Sequence, residues 1–199
     1  MTHKTFKDLL AQVRAVHAAH QGLQDFCDFP NDLQPQPMTP FHAPCADHMA
    51  QETRFATSDY AALRDAFVRA GPHARWRETY KDTDIGDDFM KRFGCYCLIG
   101  PGGAYSSAKI AAYVVTMPAD LHYTWHHHPA EELYFVVAGQ ATFFREGMPE
   151  ATLGPGQTSF HASNQPHAME TRDHPVMAMV LWRNGFDTPP QLTERPVKH

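Results

Sequence analysis

The most informative part of this 199-residue chain reads HYTWHHHPAEELY, residues 122–134. Side chains two apart on a β-strand lie on the same face, so His126 and His128 are predicted to point into one cavity. A turn then returns the chain, and Glu132 begins the next strand beside the two histidines. Alternation along that strand places Tyr134 on the same face as Glu132. Two imidazoles, a carboxylate and a phenol are therefore predicted to converge.

His126, His128 and Glu132 are candidate metal ligands, and a fourth ligand is predicted on a later strand. Residues 153–157 read LGPGQ, which is a turn signal, and His167 follows a second turn shortly afterwards. Three imidazoles and one carboxylate suit zinc, iron, manganese or nickel, and a sequence does not rank these metals because geometry and metal supply decide. We predict a single divalent transition metal ion, Zn²⁺ or Fe²⁺, with Mn²⁺ or Ni²⁺ as alternatives.

The sequence around this stretch predicts an antiparallel β-barrel over residues 93–187, followed by a polar tail at 188–199. Short runs rich in Val, Tyr, Phe and Thr are separated by Gly, Pro and Asn, a pattern typical of barrels and sandwiches. The predicted strands are Cys95–Ile99, Lys109–Met117, Glu132–Val137, Ala141–Arg145, Gln157–Phe160 and Val176–Trp182.

Residues 1–92 are predicted to form a helical extension with a proline-rich connector. Apolar side chains recur at three- and four-residue spacing between Phe6 and Val16, which predicts an amphipathic helix. A second helix is predicted from about Asp59 to Ala70, ended by Gly71-Pro72. Between them, five prolines fall within residues 28–44 and predict an extended connector.

Composition excludes several classes of partner. The formal net charge is −5 and the 17 Lys and Arg residues are scattered, which argues against a nucleic-acid surface. No apolar run approaches the roughly 20 residues needed to span a bilayer, and the first residues lack the apolar core of a signal peptide. Of the four cysteines, Cys95 and Cys97 lie in a strand-like segment and are predicted to be buried free thiols. We therefore expect a cytoplasmic monomer or homodimer that binds a small molecule.

Two spacings in the sequence resemble the cupin family. Its first motif is HxH, three residues, Glu, six residues and Gly; its second is a Pro-Gly turn followed about ten residues later by His. The second match lacks the asparagine that customarily follows the histidine. The resemblance implies a cupin barrel, also called a double-stranded β-helix or jelly roll. The matching positions are His126, His128, Glu132 and Gly139 for the first motif, and Pro155, Gly156 and His167 for the second.

A closer resemblance narrows the activity. Tyr123, followed by WHxHPAEExY from Trp125 to Tyr134, resembles the cupin-type dimethylsulfoniopropionate (DMSP) lyases. The chain is most similar to their Q type, by its length and its helical amino-terminal extension. The resemblance implies cleavage of DMSP to dimethyl sulfide and acrylate at a metal held by the four ligands above. It also implies Tyr134 as catalytic base and Tyr123 as a second active-site phenol.

The chemistry of this reaction fits the residues. Tyrosine has a reference pKa of about 10, so at pH 8 only about 1% is ionised, a penalty of roughly 2.7 kcal/mol that a nearby metal would reduce. A sulfonium cation favours an aromatic wall, which Tyr123, Trp125 or Trp182 could provide for about 0.5–2 kcal/mol. His161 is a further candidate for the cavity, although a surface or structural role is the more ordinary interpretation.

Two other function classes remain open. One is another metal-cupin enzyme, such as a dioxygenase, isomerase or hydrolase, and the other is a non-catalytic cupin that binds a small molecule. Tyr134, two residues after Glu132, favours the lyase over the first class. Four retained metal ligands count against the second class, because a purely structural cupin need not keep them. The cupin fold alone does not choose among the three.

Overall fold

The computed structural model describes residues 2–81 and 83–194, and it places helices before a set of β-strands. The longest helix, α1, begins near the amino terminus, and a short 3-10 turn, Gly71–His73, follows α4. No helix in the described residues is both long and apolar enough to cross a membrane. The helices are α1 (Thr2–Ala19), α2 (Gln21–Phe26), α3 (Pro44–Gln51), α4 (Ala61–Ala70) and α5 (Asp87–Arg92).

The strands form two sheets that together make up the barrel. One sheet has the order β1-β3-β2-β4-β11-β6-β9 and the other β12-β5-β10-β7-β8, and almost all pairs are antiparallel. The predicted mainly β cupin barrel is confirmed. The strands are β1 (Gln34–Pro35), β2 (Gly94–Ile99), β3 (Tyr105–Ser106), β4 (Ala111–Met117), β5 (Leu121–His127), β6 (Glu131–Gly139), β7 (Ala141–Arg145), β8 (Ala151–Leu153), β9 (Thr158–His161), β10 (His167–Thr171), β11 (Val176–Arg183) and β12 (Gln191–Leu192).

The central strands are buried on both faces, because each face packs against a different apolar core. On β11, Ala178 and Val180 face the barrel interior, whereas Met177 and Met179 face the helices. The helical core receives Phe6, Leu9 and Val13 from α1, and Leu63 and Phe67 from α4. This two-sided burial explains why these strands read as nearly continuous apolar runs rather than as alternating ones.

Both predicted helices are present, with small differences at their ends. α4 begins at Ala61 rather than at Asp59, and it ends at Ala70, where Gly71-Pro72 continues as the 3-10 turn. Three helices, α2, α3 and α5, were not predicted. They have six, eight and six residues, too few for a helical period to emerge from the sequence.

The segments outside the barrel also add strands to it. β1, from the proline-rich connector, pairs with β3, and β12, from the polar tail, pairs with β5. Residues 195–199 of the predicted tail lie outside the described residues. Strands β3, β5, β8 and β10 were not delimited from the sequence either, although β5 carries the histidine motif. All four cysteines are free, and three of them are buried, Cys45, Cys95 and Cys97.

Candidate metal centre and active site

A bulge in β5 sets which of its side chains enter the barrel. His167 on β10 pairs with His126, and Met169 pairs with Tyr123, so three steps along β5 match two along β10. An extra residue of this kind shifts the alternation of side chains by one. Tyr123 and His126, three residues apart, are consequently both buried inside, at 4% and 2% exposure. Trp125 is not brought to this site; its ring lies 6.3 Å from that of Phe144.

Five buried side chains form one cluster of potential metal ligands. Ligand atoms of His126, His128 and His167 lie within 4.8 Å of one another, and so do those of Glu132, His161 and His167. Each of the five residues is at most 2% exposed. The four residues predicted as ligands therefore lie together in the barrel, and His161 lies beside them.

The backbone fixes how the three histidines present their rings. Nδ1 of His126 is 2.8 Å from Thr124 O, Nδ1 of His128 is 3.0 Å from Ala130 O, and Nδ1 of His167 is 2.8 Å from Gln165 O. A carbonyl oxygen only accepts hydrogen bonds, so each Nδ1 must carry the proton and donate it. Each Nε2 then keeps its lone pair, which is the arrangement that metal-binding histidines show.

Two of these Nε2 atoms are the clearest sign that the residues fit a metal ion. Nε2 of His128 and of His167 are buried and have no hydrogen-bond partner among the described residues. They lie 3.6 and 3.1 Å from Glu132 Oε2, but with the proton on Nδ1 neither Nε2 has a hydrogen to donate to that oxygen. A buried acceptor without a partner costs about 1–3 kcal/mol. A cation bound by all three groups would satisfy them together.

Glu132 is held as an oriented carboxylate. Trp182 Nε1 donates to its Oε1 at 2.6 Å, and His161 Nδ1 donates to its Oε2 at 2.7 Å. Burial by itself would raise the pKa of Glu132, but its contacts with the histidines, including the hydrogen bond from His161, hold it well below 4.5. Both oxygens of the carboxylate thus have a fixed direction before any ion binds.

Burial favours the neutral form of His126 and of His161, and neutral imidazole is the form that binds a metal. It lowers the pKa of His126 well below 6.5 and that of His161 to about 4. His161 differs from the three other histidines because both of its nitrogens are engaged. Nδ1 donates to Glu132, and Nε2, 3.0 Å from Ser159 Oγ, accepts from that hydroxyl. His161 is therefore better placed to orient Glu132 than to bind a metal itself.

Three tyrosines surround the cluster. Tyr134 lies on β6, 5.4 Å ring to ring from His161, and burial, followed by the Glu132 carboxylate, raises its pKa well above 10. Tyr123 stacks on His126 at 4.0 Å and 12°, and burial raises its pKa likewise. The third, Tyr80, was not predicted, because it falls in the polar, irregular segment before α5, where no periodicity marks it.

An inner cavity of about 30 Å³ adjoins these residues. Arg77 and Thr79 line both this cavity and an outer groove of about 430 Å³, which is lined by none of the candidate ligands. The guanidinium of Arg77 lies 4.8 Å above the Tyr113 ring. Sequence reasoning did not select Arg77, Thr79 or Tyr113 as site residues. The cavity is lined by Arg77, Thr79, Phe93, Cys95, Tyr113, Val115, Tyr123, His126, Glu132, Tyr134, Val180, Trp182 and Pro190.

Comparisons with known proteins identify the family of this chain. The profile of the dimethylsulfoniopropionate lyase family matches residues 13–178. Dimethylsulfoniopropionate lyase DddQ of Ruegeria pomeroyi is 51% identical over 192 residues, 96% of each chain. The crystal structure of DddQ from Ruegeria pomeroyi superposes with a TM-score of 0.94 over 96% of both chains. A structure reported for the DMSP lyases RdDddP and RnDddQII superposes equally well, with a TM-score of 0.94 at 36% identity over 98% of this chain and 100% of that one. The chain therefore belongs to the dimethylsulfoniopropionate lyase family.

Proposed function

We propose that this protein is a metal-dependent DMSP lyase, which cleaves DMSP into dimethyl sulfide and acrylate. The observation that carries the proposal is the buried cluster of three oriented histidines and Glu132, with two tyrosines against it, in a chain 51% identical to DddQ. The reaction needs a strong base beside a group that acidifies a carbon-bound proton. Both requirements can be met by residues of this one cavity.

His126, His128, Glu132 and His167 would hold the metal ion, which we propose to be Zn²⁺ or Fe²⁺, with Mn²⁺ or Ni²⁺ as alternatives. When bound, a divalent cation would supply positive charge, acting as a Lewis acid toward the substrate carboxylate and favouring ionisation of a nearby phenol. His161 would not be a ligand. It would keep the Glu132 carboxylate in place through the 2.7 Å hydrogen bond.

Tyr134 is the proposed base. Its phenolate oxygen takes the proton from the carbon next to the substrate carboxylate. The electrons of that carbon–hydrogen bond form the carbon–carbon double bond of acrylate, and the carbon–sulfur bond breaks with its electron pair on sulfur. Neutral dimethyl sulfide leaves, and the tyrosine must lose its proton before the next turnover. Tyr123, stacked on His126, is the second phenol of the site and the competing candidate for the base.

Trp182 would form the aromatic wall for the sulfonium group. It lines the inner cavity and packs edge-to-face against Tyr113 at 5.2 Å, whereas the Tyr113 ring already carries the Arg77 guanidinium. A cation over such a face gains about 0.5–2 kcal/mol. Trp125, the other tryptophan considered for this role, lies beside Phe144 instead, so the proposal does not use it.

We further propose that the protein works in the cytoplasm, as a monomer or homodimer, on a small-molecule substrate. Its four free cysteines are consistent with a reducing compartment.

The test is to incubate the purified protein with DMSP and to measure headspace dimethyl sulfide and acrylate. We expect the two products in equal amounts, loss of both after chelation, and recovery when a divalent metal is returned. His126→Ala should lose activity because it removes a proposed metal ligand. His122→Ala is its matched control and should keep activity, because His122 lies on the same strand but is exposed. If metal-loaded protein released no dimethyl sulfide, another metal-cupin activity would replace this proposal.

A further inference from the structure

Tyr80 belongs to the helical extension, yet its side chain lies inside the barrel. It is 2% exposed and is part of the interior core. Its hydroxyl oxygen is 2.5 Å from the hydroxyl oxygen of Tyr123. Its ring lies 5.7 Å from that of Tyr123 and 6.3 Å from that of His126. A residue outside the barrel thus makes a direct polar contact with the active-site phenol.

We propose that Tyr80 is a positioning residue of the active site, which fixes the direction of the Tyr123 hydroxyl through the hydrogen bond between the two phenols. The inference rests on the proposed lyase function and deepens it. It assigns a role in the reaction to a residue contributed by the extension, whereas the cupin motifs lie wholly in the barrel.

The argument begins with what packing does and does not fix. The Tyr123 ring is held on several sides, by His126 at 4.0 Å, Phe93 at 4.6 Å and Phe89 at 5.2 Å. These contacts set the plane of the ring. They leave the hydroxyl proton free to rotate about its carbon–oxygen bond, because none of these neighbours binds it.

The contact with Tyr80 removes that freedom. If Tyr80 donates the hydrogen bond, the Tyr123 proton is left to point toward the cavity; if Tyr123 donates, its remaining lone pair faces the cavity. In either case one side of the Tyr123 oxygen is occupied, and the other has a defined direction. Pre-organised polar groups lower a barrier because they need not reorganise during the reaction. Tyr80 would therefore act on turnover, through Tyr123, rather than on substrate affinity.

Tyr80→Phe is the direct test, because it removes the hydroxyl and leaves the ring to pack. We expect kcat for DMSP to fall about tenfold, near the upper end of what one hydrogen bond contributes. KM and the bound metal should change by less than about twofold. In a Tyr123→Phe background, the same substitution should cause no further loss, because the group through which Tyr80 acts is already gone.

Tyr96→Phe is the matched control. Tyr96 is equally buried, and its hydroxyl donates to Phe67 O at 2.9 Å, on the helical side of the sheet. We expect it to lower the melting temperature as much as Tyr80→Phe does, with kcat unchanged. This comparison separates a lost hydrogen bond that affects only folding from one that affects turnover.

Several outcomes would overturn the inference. It fails if Tyr80→Phe keeps wild-type kcat, or if Tyr80→Phe and Tyr96→Phe lower kcat equally. It also fails if the losses of kcat from Tyr80→Phe and Tyr123→Phe multiply in the double variant. It also fails if the effects of Tyr80→Phe and Tyr123→Phe are non-additive in the free energy of unfolding but additive in kcat. Failure of the proposed function is a different result, because the wild-type protein itself would then release no dimethyl sulfide.

Discussion

The indole of Trp182 provides a direct test of how the metal centre is built. Its Nε1 donates to Glu132 Oε1 at 2.6 Å, and its ring lies 4.1 Å from that of His128. The tryptophan thus orients one proposed ligand and packs against another without being a ligand itself. Trp182→Phe keeps an aromatic ring in place and removes the donor. The Glu132 oxygen is then left buried with one hydrogen bond fewer.

The size of the effect follows from the type of bond. A hydrogen bond to a charged group contributes about 1.5–3 kcal/mol, and each 1.4 kcal/mol is a factor of ten in affinity. We therefore expect Trp182→Phe to bind the metal about ten- to a hundredfold more weakly, the range typical for loss of a group that orients a metal ligand. The measurement is competition for the metal against a chelator of known affinity.

Trp76→Phe controls for the smaller ring. Trp76 is 2% exposed, and its Nε1 donates to a backbone carbonyl, Gly71 O, at 2.9 Å, away from the metal ligands. It should lose stability but keep the wild-type metal affinity. Equal affinities in the two variants would refute the reasoning that Trp182 orients Glu132.

Three further predictions concern the ligands, the base and the effect of pH. His128→Ala and His167→Ala should lose most of the bound metal by elemental analysis, since each removes one of four ligands; full occupancy in both would rule out the assignment. Tyr134→Phe should keep the metal and lower turnover about 10²–10⁴-fold. Because burial raises the pKa of Tyr134, wild-type turnover should rise with pH above neutral as more of the phenol ionises. If Tyr134→Phe kept near-normal turnover and Tyr123→Phe were inactive, Tyr123 rather than Tyr134 would be the base. In metal-free protein, burial lowers the pKa of His161 to about 4, against 6.5 in the unfolded chain. Between these pH values the unfolded chain takes up a proton that the folded protein does not, so the free energy of unfolding should fall by up to roughly 3 kcal/mol from pH 6.5 to pH 4. Denaturant unfolding measures this, and a free energy that does not change with pH would contradict it.

The barrel and the four proposed ligands could be predicted because they depend on local rules. Turn signals and apolar runs delimit the strands, and the two-residue period places His126 and His128 on one face. Trp125 shows the limit of that period. It is two residues from Tyr123, so a regular strand would put both on one face, but β5 has a bulge between Tyr123 and His126. Nothing in the sequence indicates a bulge, because it is set by the pairing with β10.

The walls of the cavity could not be predicted for a different reason. Arg77, Thr79 and Tyr80 come from an irregular segment whose position depends on how the extension packs on the barrel. No period or motif carries that information. The extension thus supplies part of the site, and predictions drawn from the barrel motifs alone omit it.

His161 shows that placing a residue in a site does not give its role. A buried histidine on an inward face beside Glu132 could be a fifth ligand or a group that orients the carboxylate, and both have the same position in the sequence. The hydrogen bonds separate the two roles. His126, His128 and His167 each spend one nitrogen on a backbone carbonyl and keep the other for an ion, whereas His161 spends both, on Ser159 and Glu132. A metal ligand needs a free lone pair. The backbone hydrogen bonds leave the Nε2 lone pair free on His126, His128 and His167, whereas on His161 the Ser159 hydroxyl occupies it.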